Sequence, residues 1–175
     1  MRLLGLPPDL LEILPGLTGK PLKVEFVQDL SGRLGKPVHA GSNMRSREIL
    51  LDAELLENRD ELTRILLHEV FHFAWVRLGN PRRRSFEELL SSEMEAGARG
   101  ELGWSAETRK NQLVEWDRRE RSRHWREYAC ESFCDTGAWK YGGLRSHDEW
   151  TLGERHRKRR AAWLARIIEE GEFRV

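Results

Sequence analysis

The segment RILLHEVFHFAWVRLG, residues 64 to 79, sets His68, Glu69 and His72 in a stretch that is otherwise mostly apolar. On an α-helix, residues four apart differ by about 40° of rotation and one turn of rise, so His68 and His72 can aim two imidazoles at one cation. Glu69 is turned by about 100° from His68, which takes it out of the ligand plane but leaves it within reach of a water beside the cation. That is the chemistry of an HExxH pattern: two neutral imidazoles hold zinc, and the carboxylate draws a proton from a water that zinc has made acidic, with a pKa near about 7. Histidines buried for packing alone would give the same letters. Among Leu66, Leu67, Val70 and Phe73, however, two imidazoles and a carboxylate are costly to bury without partners.

A catalytic zinc needs a third protein ligand and leaves its fourth position to water. The metzincin continuation of the motif requires glycine at 75 and histidine at 78, and Trp75 and Leu78 exclude it. Downstream, YACESFCDTGAW at 128 to 139 places Glu131 and Asp135 four apart on one helical face. HExxH at 68 to 72 with ExxxD at 131 to 135 resembles the gluzincins, the thermolysin-type clan of zinc peptidases. The resemblance covers two short helical segments, and a chain of this length compares best with a compact single-domain form.

The resemblance implies zinc as cofactor, a zincin-like fold and Glu131 as third ligand. It makes Glu69 the general base and then acid, and has Asp135 accept the free imidazole N–H of a ligand histidine, His68 in the first instance. Such an outer carboxylate fixes the tautomer and raises ligand basicity. It also implies that peptide substrate lies antiparallel to a strand preceding the zinc helix, either EILLD at 48 to 52 or HAGSN at 39 to 43. Strand addition grips an extended chain through its main-chain groups. A donor to the developing oxyanion is expected as well, with His147 preferred over Tyr128 and Tyr141. Cys130 and Cys134 read as small buried thiols, because the nitrogen and oxygen ligands are already complete.

The elements that must position these residues follow from periodicity. Helical spacing of Leu62, Ile65, Leu66, Glu69, Val70 and Phe73 predicts a helix capped by Asn58 or Asp60 and ending near Gly79-Asn80-Pro81. Further helices are expected from Ser85, with Glu88 at capping-box spacing, to about Gly97; from Ser105 to about Arg123; from His124 to Tyr141; and from Asp148 to Glu170. Before them come a short helix at 8 to 14, a strand at 21 to 28 from the alternation of Leu22, Val24 and Phe26, a glycine turn in SGRLGK, and strands at 37 to 40 and 48 to 52. Strands first and helices after predict an α+β fold: a small, mostly antiparallel N-terminal sheet with a helix in 1 to 59, and a helical bundle in 60 to 175.

With 175 residues, 39% hydrophobic and 34% charged, one core and one domain are expected. No apolar run reaches the roughly 18 residues of a membrane span, no signal peptide is recognisable, and two cysteines four apart in a helix make a poor disulfide, so a cytoplasmic location is expected. A net charge of +1 exerts no global pull on nucleic acid. Arg82 to Arg84, DRRERSRHWRE from 117 and RHRKRR at 155 to 160 could form a basic face, but interleaved acids favour solvated, ion-paired helices. Trp75, Trp139 and Trp163 fit apolar helix faces. Three functions compete: a peptidase acting on peptide or protein substrates, a nucleic-acid-associated or regulator-cleaving zinc protease, and a non-catalytic module stabilised by zinc. Oligomeric state is not legible.

Overall fold

Leu22 and Val24 alternate with polar neighbours and are buried, so one face of their strand meets the core. The computed structural model describes residues 3–6, 18–35, 38–170 and 175. Its sheet contains β1 (Leu3–Leu4), β2 (Leu22–Val27), β3 (Ala40–Asn43) and β4 (Glu48–Asp52) in the order β1-β2-β4-β3. β1 pairs with β2 in parallel, β2 pairs with β4 in parallel, and β3 pairs with β4 antiparallel. The expected mostly antiparallel sheet is therefore corrected. The cause is SGRLGK, which forms a short helix, α1 (Leu30–Leu34), rather than a turn. Asp29 caps its start and Gly35, at φ 66°, closes it, and the chain crosses to the far edge before the β3–β4 hairpin returns it beside β2. Asp52 ties the ends together: one carboxylate oxygen accepts from the Leu30 N–H at 2.9 Å and the other from the Glu54 N–H at 3.0 Å.

Strand 48 to 52 lies where its pattern puts it, whereas the strand expected at 37 to 40 runs from Ala40 to Asn43. The helix expected at 8 to 14 falls outside the described residues. After a 3-10 helix at Ala53–Glu57 come α2 (Arg59–Arg77), α3 (Asn80–Glu95), α4 (Trp104–Gln112), α5 (Glu115–Arg119), α6 (Arg123–Tyr141) and α7 (Glu154–Glu169). Among the described residues the fold is thus α+β, with a small sheet followed by helices, and no helix is long and apolar enough to cross a membrane.

Three helix boundaries differ from expectation. α3 starts at Asn80 because Pro81 sits in its first turn, where a missing N–H does no harm; Ser85 instead accepts a hydrogen bond from Trp163 Nε1 at 3.0 Å. The segment 105 to 123 is split into α4 and α5 by extended backbone at Leu113 and Val114. α7 begins at Glu154, six residues later than expected, and the preceding loop seats Trp150 and Leu152 with Leu102 in a small satellite cluster that Trp139 and Leu144 cover.

The main core joins Leu22, Val24, Ile49 and Leu51 of the sheet to Phe71, Phe73 and Trp75 of α2 and Trp125 and Phe133 of α6. Most of the charged helices pair as anticipated, for instance Arg118 with Glu95 at 2.5 Å and Lys158 with Glu154 at 2.7 Å. Arg160 of the RHRKRR run is the exception. It is fully buried and bound to Glu93 at 2.8 Å and Glu101 at 2.5 Å.

Candidate functional site

Two helices carry the expected site, and local chemistry fixes each. Asn58 caps α2 by accepting from the Glu61 N–H at 3.2 Å, and Ser122 caps α6 by accepting from the Trp125 N–H at 3.3 Å. Where the helices meet, Gly137 of α6 lies directly under the Phe71 ring of α2, so that even a methyl group there would strike it. This close approach brings His68, His72, Glu131 and Asp135 to one wall of a cavity of about 790 Å³, which Ser42, Glu69, Trp104 and Arg109 also line.

His68 Nδ1 lies 2.7 Å from Asp135 Oδ1, so the carboxylate holds a proton on Nδ1 and turns Nε2 toward the cavity. That Nε2 is 3.1 Å from His72 Nε2 and 3.3 Å from Glu131 Oε2. His72 Nδ1 lies 3.5 Å from Cys130 Sγ, so a thiol, not a carboxylate, meets the second imidazole from behind. Glu69 is buried, and the Ser42 hydroxyl lies against both its carboxylate and, at 3.3 Å, its main-chain carbonyl. Glu131 Oε1 is 3.5 Å from Arg109 Nη2, while Arg109 Nη1 is anchored on Ser105 O at 3.1 Å and Oγ at 2.6 Å.

The electrostatics follow from this packing. Burial resists charge on His68, but the Asp135 carboxylate, with Glu131 and Glu69, outweighs it and pushes the imidazole pKa well up. Burial likewise opposes ionisation of Glu131, yet His68, His72 and Arg109 hold its carboxyl down at about 2. A hydrogen bond with Cys134, aided by His72, brings the Cys130 thiol down to about 6, while burial pushes Cys134 well up. Asp135 Oδ2 is buried without a partner beneath Gly103, among the described residues.

Cys134 is closer to the imidazoles than its reading as a packing thiol suggests. His68, His72 and Cys134 offer ligand atoms all within 4.8 Å of one another. The cavity wall nevertheless includes Glu131 and neither cysteine, so the thiols lie on the closed side of the imidazole pair.

The three residues considered as oxyanion donors lie elsewhere. Tyr128 is fully buried and donates its hydroxyl to Glu101 at 2.6 Å. Tyr141 stacks on Phe71 at 5.9 Å. His147 holds Glu61 through Nε2 at 3.0 Å and accepts from the Glu149 N–H at 3.2 Å, and none of the three lines the cavity. Arg109, Ser42 and Cys130 take up positions beside the site that sequence reasoning did not assign. The only available signal for Arg109 was a cation in a segment that has to fold between the two half-sites. No family model, no curated protein and no solved structure matches this chain, so the chemistry of the cleft is the ground on which its function rests.

Proposed function

We propose that the chain is a zinc-dependent peptidase of gluzincin type, with a zincin-like fold, in which His68, His72 and Glu131 hold the ion. The observation that carries this reading is the approach of two further donors to His68 Nε2, His72 Nε2 at 3.1 Å and Glu131 Oε2 at 3.3 Å, on the open side of the imidazole pair. Ligands of a tetrahedral zinc, each about 2.0–2.1 Å from the metal, lie roughly 3.3 Å apart, and both edges at His68 Nε2 have that spacing. Two ring nitrogens facing each other at that distance repel unless a proton or a cation lies between them. The unpartnered Asp135 oxygen beside them adds negative potential suited to a cation.

When bound, the ion supplies Lewis acidity toward a peptide carbonyl and toward water. Asp135 keeps the proton of His68 on Nδ1 and so presents Nε2 to the site. Glu69 takes a proton from the attacking water at its carboxylate and returns it to the leaving amine. Ser42 holds that carboxylate in one orientation. Arg109, anchored through Nη1, turns Nη2 toward the cavity and donates to the carbonyl oxygen as negative charge develops there. β3, at the sheet edge among the described residues and along the cleft, offers its outer main-chain edge to an extended peptide. The inner strand β4 cannot, since β2 and β3 occupy both its edges.

A second reading has one observation in its favour, the His68, His72 and Cys134 grouping. An ion there would be enclosed and structural, with no open position toward substrate. Metal analysis separates the two: Glu131→Gln loses zinc and Cys134→Ala keeps it under the peptidase reading, and the reverse holds for the structural one. The function itself is tested with Glu69→Gln. Wild type and variant are expected to bind about one zinc each, while cleavage of casein falls by about 10²–10⁴-fold. Equal cleavage by the two proteins would remove Glu69 from the chemistry.

A further inference from the structure

At Met44 the cleft meets a second cavity of about 620 Å³, and the Met44 side chain lines both. The second cavity is walled by Lys20, Arg45, Arg47 and Arg77, and no acidic side chain lines it among the described residues. Arg47 is engaged in building it. Its guanidinium donates to Pro21 O at 3.1 Å, Lys20 O at 2.6 Å and Val175 O at 3.1 Å, and lies 5.7 Å from the Phe73 ring centre. Arg77 donates through Nη1 to Phe73 O at 3.0 Å, which leaves its other amino group for a ligand. Burial, and then the neighbouring Arg77 charge, lower the Arg47 pKa, so two cations face the same cavity. Arg45 is displayed by a built turn: Asn43 Oδ1 accepts from the Arg45 and Ser46 N–H groups at 3.0 and 3.2 Å, and Arg47 closes the loop at φ 58°.

We propose that this cavity binds acidic side chains of the peptide substrate on the N-terminal side of the bond that is cut. The inference rests on the peptidase reading and on antiparallel addition of substrate to β3. β3 runs from Ala40 toward Asn43, so an antiparallel peptide sends its N-terminal residues past Asn43 and Met44 to Lys20, Arg45 and Arg77. Three available cations at the end of a strand edge suit a short acidic run. A nucleic acid needs a longer track of neutralised phosphates.

The test compares three fluorogenic peptides built around one bond mapped in a casein digest: glutamates upstream of it, glutamates downstream, or glutamines in both places. Wild type is expected to cut the upstream-glutamate peptide about fivefold better in kcat/KM than the glutamine peptide, the sum of two or three exposed ion pairs. Molar salt should compress that preference. Arg45→Glu/Arg77→Glu should invert it while cutting the glutamine peptide as wild type does, which also reports that the variant is folded. Equal cleavage of upstream and downstream peptides, or an unchanged preference in the variant, overturns the proposal and leaves the peptidase reading standing. So does a variant that loses binding to single-stranded DNA but not to the acidic peptide. If no peptide is cut, fluorescence anisotropy on Glu69→Gln separates the two ideas. Tighter binding of the upstream-glutamate peptide, abolished by the charge reversals, supports the cavity although the peptidase reading has failed; equal binding of all three peptides overturns the cavity.

Discussion

Asp135 uses only half of its carboxylate. Oδ1 holds His68, while Oδ2 is buried, without a partner among the described residues, and covered by Gly103. Gly103 has ordinary extended backbone, so its lack of a side chain matters for space and not for conformation. A methyl group there would land on the Asp135 carboxylate. Gly103→Ala should therefore displace the group that orients His68 and weaken zinc binding by about 10–100-fold, read by competition with a chromogenic chelator, with far-UV circular dichroism unchanged. Unaltered affinity would mean that Asp135 does not set the ligand. That His68 and His72, and Glu131 and Asp135, line one cavity was legible in the sequence because four-residue spacing puts each pair on a common helical face, with Glu69 turned beside the first pair. Ser42, Cys130 and Arg109 were not, since each meets the site through a tertiary contact that has no spacing to read. The tyrosines misled for a related reason: a phenol is satisfied by any buried acceptor, and Tyr128 found Glu101.

At the scale of elements, α4 connects the cleft to the core. Arg109 faces Glu131, while the next residue, Lys110, donates to Gly100 O at 2.9 Å and pairs with Glu101 at 3.1 Å. Glu101 also receives Arg160 of α7 and Tyr128 of α6, so one carboxylate anchors three helices around the site. Burial opposes its charge, but Arg160, Lys110 and Tyr128 prevail and hold its carboxyl at about 2 instead of 4.5. A depressed folded-state pKa gives stability that is present above the unfolded value and is lost as pH falls through the folded one. Glu101 thus contributes on the order of a few kcal/mol near neutrality, which disappears between pH 4.5 and about 2. Acid titration of Arg160→Met should show a flatter loss of stability over this window than wild type; parallel curves would place the stabilisation elsewhere. The α2–α6 contact has its own control at Gly137. Gly137→Ala overpacks the Phe71 ring and should cost about 1–3 kcal/mol, seen as a lowered thermal midpoint together with weaker zinc binding.

For the whole molecule, helix existence was legible and strand direction was not. Period and caps gave α2, and α6 to within one residue at its start, because the information lies within each segment. Parallel pairing of β2 with β4 depends on where α1 delivers the chain, and four or five residues of SGRLGK support either a turn or a helix. Breaker residues were legible as an end but not as a beginning: Gly79-Asn80-Pro81 follows the end of α2 and also opens α3. The expectation of solvated, ion-paired helices does not extend to Arg160, which is paired from inside the core.

The proposed metal donors come from two helices separated by all of α3, α4 and α5. During synthesis, a ribosome-bound chain that has released α2 but not α6 would carry the imidazole pair without its carboxylates. Under the proposed function such a nascent chain is inert toward its neighbours. Hydrolytic competence then arrives only once α6 has been released, and any fragment cut between the two helices forfeits it.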